Sequence, residues 1–147
     1  MNQRDIARRL TIALFKLDGV QMSNKKKTTS ESEHTLMYAL DDGQPHSQRE
    51  IADEWFIPRT TLNTIVKQWE REELLTQTAI PGKKREMQIA LTEKGRSYVK
   101  ESMQEFYRME EIAIARTIEK YSDSFIEAIE YLGSTLQEVY RNEGEQT

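Results

Sequence analysis

Arg59, Thr60, Asn63, Thr64 and Lys67 recur at spacings of one, three and four residues, so in a helix they share one face. A guanidinium can grip guanine O6 and N7 with two bonds, and a carboxamide can do the same for adenine N6 and N7. Threonine hydroxyls and a lysine ammonium suit base edges and phosphates. The stretch FIPRTTLNTIVKQWE holds no carboxylate until its last residue, Glu70. An ordinary solvated helix face mixes both charge signs in i,i+4 pairs, whereas this one is neutral or cationic over three turns. On this segment alone, a solvated face and a face that reads nucleic acid both stand open.

A second group of cations, Lys83-Lys84-Arg85, follows Pro81-Gly82. Such a tip can meet phosphates, or it can be a solvated hairpin whose lysines guard a strand edge. Catalytic chemistry finds no comparable support. His34 and His46 are the only histidines, neither has a metal-ligand spacing, and no phosphate loop or nucleophile elbow appears. Asp41, Asp42 and His46 are close in sequence, but beside Pro45 they read as a helix terminator. Neither an enzyme nor a metal or cofactor site is expected.

The elements around these cations decide between the readings. Leu62, Ile65, Val66 and Trp69 recur at helical spacing and bury the side opposite the polar face. Ahead of them, Ser47-Gln48-Arg49-Glu50 is a capping box opening a short helix that carries Ile51, Ala52 and Trp55. Phe56-Ile57 breaks that helix, and Pro58 fits the first turn of the next. Two short helices across a tight turn make a helix-turn-helix, with the polar face in the recognition position. After Leu74-Leu75, TQTAI and EMQIALT alternate as two strands joined by PGKKR. A basic hairpin directly after a helix-turn-helix predicts a wing.

Helices flank this middle. Asp5 to Val20 places Ile6, Leu10, Ala13, Leu14 and Leu17 on one face, and the basic loop SNKKKTTS follows. Ser30 and Glu33 form a second capping box before Leu36, Met37 and Leu40. Thr92 caps a long helix reaching about Lys120, and Ser122-Asp123-Ser124 caps the last one. Its stripe of Phe125, Ile126, Ile129, Leu132, Gly133, Leu136, Val139 and Tyr140 exceeds what a small winged helix can cover. The expected fold class is therefore mainly α with a small β-hairpin wing. Residues 30–96 form the winged helix-turn-helix, and residues 1–29 and 97–147 form a helical dimerisation region in the same compact unit. Across a two-fold axis the interface is expected at Ile6, Leu10, Leu14, Phe125, Ile129, Leu132, Leu136 and Tyr140.

The 147 residues suit one domain plus an oligomerisation element, and 37% hydrophobic residues support a core. Net charge is −4, but residues 47–96 carry nine Lys/Arg against eight Asp/Glu, while residues 97–147 carry five against eleven. A nucleic acid would meet the middle of the chain. The absence of cysteine excludes disulfides and thiolate metal sites. No apolar run approaches the roughly 18 residues of a membrane span, and no secretory signal is visible, so a cytoplasmic location is expected.

The stretches SQREIADEWFIPRTTLNTIVKQWEREELL and IALTEKGR resemble the helix-turn-helix and wing exit of the MarR (multiple antibiotic resistance regulator) family. The resemblance implies a bacterial transcriptional regulator, in the usual case a repressor, that binds pseudo-palindromic double-stranded DNA as a homodimer. By position it makes Arg59, Thr60, Asn63 and Thr64 base-reading candidates, and Thr61, Gln48 and Lys67 phosphate contacts. Lys83, Lys84 and Arg85 become the wing residues. It also implies a small aromatic effector in a crevice, for which Leu14, Leu17, Met22, Met37, Tyr38 and Tyr107 are candidates, though such residues also suit a plain core. Two departures stand out. Lys83 replaces the aspartate that in the family steadies the wing arginine, here Arg85. Glu73 stands where the family favours glycine, so that helix end must terminate without a glycine cap. The competing function is a winged-helix protein-interaction module that has lost DNA binding; a carboxylate-free face and a cationic wing tip are features such a module would not need.

Overall fold

Side-chain caps set where most helices of the chain begin. Asn2 Oδ1 accepts the Asp5 amide at 2.9 Å and opens α1 (Gln3–Asn24). This cap starts the helix ahead of Asp5, and at its other end α1 runs on past Val20 to Asn24. Ser30 Oγ accepts the Glu33 amide at 3.1 Å before α2 (Glu31–Leu40), and Ser47 Oγ accepts the Glu50 amide at 3.3 Å before α3 (Gln48–Glu54). In α4 (Arg59–Arg71) Pro58 occupies the N-cap position rather than the first turn. Its missing N–H leaves no orphan donor in either place. The structure, a computed structural model, describes residues 1–144; residues 145–147, the end of the expected dimerisation region, lie outside the described residues.

Three strands complete the middle: β1 (His46–Ser47), β2 (Leu75–Ala79) and β3 (Met87–Leu91), antiparallel in the order β1-β3-β2. Leu75 lies opposite Leu91, and Ile89 stands between Gln77 on one side and His46 on the other. The two alternating segments are thus the expected hairpin. The added strand β1 is only two residues long, too short for alternation to reveal it.

The chain forms two units, Met1–Phe106 and Tyr107–Thr147. α5 (Glu93–Tyr121) contributes to both, and α6 (Ser124–Gly144) lies in the second. The first unit holds a core of Leu36, Leu40, Ile51, Leu62, Val66, Trp69, Leu75, Ile89, Val99 and Met103. Each such side chain contributes about 1.5–3 kcal/mol when fully buried. Trp55 is not among them. α3 ends at Glu54, so Trp55 takes the C-cap position with its side chain 40% exposed. In the second unit α6 buries no residue: Ile126, Ile129, Leu132, Leu136 and Val139 are exposed, Phe125 is half-buried, and nothing approaches Gly133. α1 likewise buries none, leaving Ile6, Leu10, Leu14 and Leu17 in solvent. No described helix is long and apolar enough to cross a membrane.

Both helices of the helix-turn-helix end on bulky left-handed residues. Glu73 (φ +63°) follows α4, with its amide on the Glu70 carbonyl at 3.0 Å and the Leu74 amide on Trp69 at 2.8 Å. These two bonds are the Schellman pattern, made here by glutamate. Phe56 (φ +54°) follows α3, and the Ile57 amide returns to the Ala52 carbonyl at 3.1 Å. The start of α5 then secures the exit of α4. The Thr92 amide meets the Leu74 carbonyl at 3.0 Å, Thr92 Oγ1 the Glu73 carbonyl at 2.6 Å, and Lys94 Nζ the Glu72 carbonyl at 2.9 Å.

Candidate nucleic-acid interface

Burial of Leu62, Ile65, Val66 and Trp69 fixes the roll of α4. Arg59, Thr60, Thr61, Asn63, Thr64 and Lys67 are all exposed as a result. Thr64 Oγ1 donates to the Thr60 carbonyl at 3.0 Å, so its proton is committed while its oxygen can still accept. Arg59 Nη2 stands 3.5 Å from Asp53 Oδ1, a loose contact between exposed groups that holds neither firmly.

The wing brings further cations to this face. Pro81 and Gly82 (φ +80°) form the centre of a turn closed by the Lys83 amide on the Ile80 carbonyl at 3.1 Å, the pattern of a type II turn. Lys83, Lys84 and Arg85 follow directly and are exposed. A cleft of about 340 Å³ results, lined by Gln48, Arg49, Arg59, Asn63, Arg85 and Glu86 among others. Elements from α3, α4 and the wing thus converge on one concavity. Four residues singled out in the sequence (Gln48, Arg59, Asn63 and Arg85) share it.

Arg49 and Glu86 were not foreseen. Glu86 holds Arg49 Nη1 at 3.3 Å and Lys83 Nζ at 3.2 Å, so a carboxylate does steady this wing, from the far side of Arg85. Arg49 and Glu86 lie 37 residues apart, and the pairing of β1 with β3, Ser47 opposite Gln88, brings them together. The one hint in the sequence is that each directly adjoins a residue already singled out, Gln48 and Arg85.

The remaining candidates lie elsewhere. Met37 is 1% exposed and belongs to the core, while Leu14 and Leu17 are exposed and Met22 is half-buried. Tyr38 stands edge-on to His34 and Phe106, with ring centroids 5.4 and 6.1 Å apart. Tyr107 opens the second unit. The Asp42–His46 contact does form, at 2.8 Å, as a turn closure. The Gln44 amide, then the His46 ring, hold the Asp42 carboxyl below its ordinary range. Among the described residues no group of three or more His, Asp or Glu could hold a metal ion.

Comparison with known proteins bears on the same segment. The MarR family model matches residues 28–86. No curated protein matches the chain. Among solved structures, NMB1585, a MarR family regulator from Neisseria meningitidis, is 17% identical, with a TM-score of 0.72 over 97% of this chain and 99% of that one. CouR, a transcriptional repressor bound to a 23-mer DNA duplex, is 18% identical, with a TM-score of 0.63 over 93% and 98%. The PcaV transcriptional regulator from Streptomyces coelicolor, in complex with its natural ligand, is 20% identical, with a TM-score of 0.61 over 91% and 93%. At these identities the structures bear on the fold.

Proposed function

We propose, from the match of residues 28–86 to the MarR family model, that this chain is a transcriptional regulator that binds a pseudo-palindromic DNA operator as a homodimer. One observation carries the reading. The exposed, carboxylate-free face of α4 opens onto the same cleft as a wing arginine. Arg59 and Asn63 read base edges from this face, Thr60 and Thr64 assist, and Gln48, Thr61 and Lys67 meet phosphates. Lys83, Lys84 and Arg85 lie along the flanking minor groove, where a narrow groove attracts cations. The similar fold of CouR, bound to a DNA duplex, supports this.

The bare apolar faces of α1 and α6 supply the dimer contacts, through Ile6, Leu10, Leu14, Phe125, Ile129, Leu132, Leu136 and Tyr140. In this reading residues 1–29 and 97–147 form the dimerisation region and residues 30–96 the DNA-binding domain. A two-fold axis would set the recognition helices about 34–36 Å apart. Binding represses transcription by occupying the operator, and a small aromatic effector held near Leu14, Leu17, Met22, Tyr38 and Tyr107 weakens it; Met37, buried in the core, is not among its contacts. The ligand-bound PcaV structure supports the effector reading.

Duplexes selected from a random pool test the function. The logarithm of affinity should fall linearly with the logarithm of salt, and the selected sites should be palindromic. A protein with no salt-dependent affinity for any duplex would be the interaction module instead.

A further inference from the structure

Glu86 is recessed, with its side chain 20% exposed, while the two cations it holds, Arg49 and Lys83, are each 57% exposed. Arg49 comes from α3 and Lys83 from the wing turn, and both stand within 3.3 Å of the same carboxylate. The backbone fixes its place, since the Ile80 amide bonds the Glu86 carbonyl at 3.3 Å and closes the hairpin. A phosphate arriving at this surface meets the cations first and the carboxylate just behind them.

That position is unfavourable for plain DNA affinity. A phosphate in contact with Arg49 or Lys83 comes within a Debye length of Glu86, about 8 Å at physiological ionic strength, so its repulsion is not screened away. Fold stability gives little reason for the arrangement either, because pairs this exposed contribute little. What the carboxylate does accomplish is placement. Free Lys and Arg side chains follow any phosphate within reach, which is the origin of sequence-independent binding. Paired with Glu86, Arg49 and Lys83 are biased toward two defined positions, and the three groups together carry one net positive charge rather than two.

We infer that Glu86 is a specificity-determining residue. It biases the positions of Arg49 and Lys83 and offsets part of their charge, so a duplex is held firmly only when its phosphates fall on both cations together. A duplex in the wrong register reaches one cation and faces the carboxylate. The inference rests on the DNA-binding reading above and concerns discrimination rather than affinity.

The test uses the full chain as wild type, Glu86→Gln and the double variant Glu86→Gln/Lys83→Gln. Each is titrated against a duplex selected by the wild type and a scrambled duplex of equal length, across a salt series. Glu86→Gln should bind the scrambled duplex several-fold more tightly, with a salt slope steeper by about one unit per protomer. The selected duplex should change by less than about twofold, so the preference for it falls. Removing Lys83 as well should return the scrambled duplex toward its wild-type behaviour. An unchanged slope on the scrambled duplex, or equal weakening on both duplexes, overturns the inference and leaves Glu86 a simple brace. Failure of the wild type to bind any duplex would overturn the DNA-binding reading instead, and it is read without any variant.

Discussion

Gly95 lies so close to Leu74 that a Cβ built on it would stand 1.8 Å from the Leu74 carbonyl oxygen and 2.8 Å from its carbon. The obstructing atoms are backbone, and that carbonyl already accepts the Thr92 amide, so it cannot turn aside. The glycine of the LTEKG segment is therefore a contact requirement between the first turn of α5 and the exit of α4.

Gly95→Ala should accordingly destabilise the fold by about 3 kcal/mol, at the upper end of overpacking effects. Thermal unfolding followed by circular dichroism measures this. A midpoint equal to wild type would mean that α5 shifts at no cost, contrary to the contact described.

Glu73→Gly should act in the opposite direction. A left-handed residue with a Cβ carries about 1–2 kcal/mol of strain. Glycine gives back about 0.4–1 kcal/mol through the greater freedom of the unfolded chain. Strain relief wins, leaving a gain of about 0.5–1 kcal/mol by these two principles. Chemical denaturation should show a higher midpoint with the same slope. A lower midpoint would show that the Glu73 side chain contributes something its backbone angle does not reveal.

These two positions illustrate what a reader of the sequence alone can and cannot obtain. The roll of α4 was legible because Leu62, Ile65, Val66 and Trp69 repeat with the helix period, and the caps at Ser30 and Ser47 are local bonds over three residues. The absent glycine at Glu73 was visible too. The left-handed backbone that replaces it was not, since it shows only in the turn closed by the Glu73 amide on Glu70 and the Leu74 amide on Trp69. Trp55 falls just past the end of α3 rather than on it, and such one-residue helix boundaries are not legible in a sequence pattern. The Arg49–Glu86 bridge was invisible for a different reason: it depends on β1 pairing with β3, a contact between distant segments that neither encodes alone.

Arg59→Ala and Asn63→Ala should each weaken operator binding by about 1–3 kcal/mol and relax preference at one position per half-site. Both side chains are exposed, so melting should be nearly unchanged. Competition with single-base operator variants measures the effect. Equal losses on operator and random duplex would assign these residues to phosphates only.

Glu33→Gln should raise the melting temperature at pH 7. Burial first, then the neighbouring Glu72, pushes the Glu33 carboxyl above its ordinary range, with Lys25 pulling it back. A folded pKa above the unfolded one means the folded state binds more protons, so stability falls as pH rises through that window. The variant removes this penalty at neutral pH and should lose its advantage below about pH 4, where both states are protonated. An advantage independent of pH would point to a cause other than ionisation.

Leu136→Asp should convert the proposed dimer to monomer and abolish operator binding. Leu136 is 51% exposed in the single chain, where such a change ordinarily alters stability by no more than about 0.5 kcal/mol. Loss of assembly would therefore report on a partner chain. Sedimentation showing an intact dimer with unchanged DNA affinity would remove α6 from the interface.

Three consecutive carbonyls at the end of α4, those of Glu72, Glu73 and Leu74, are gripped by Thr92 and Lys94 from the start of α5. The joint has no play, so a rotation of the first turn of α5 would carry α4 with it as one rigid arm. α4 has 13 residues, which at 1.5 Å each gives an arm of about 20 Å from the joint to Arg59. A rotation of about 10° at the joint would carry the tip by about 3.4 Å, the axial rise of one base pair. The length of this helix would thus gear a small turn at its base into a whole letter of register at its tip.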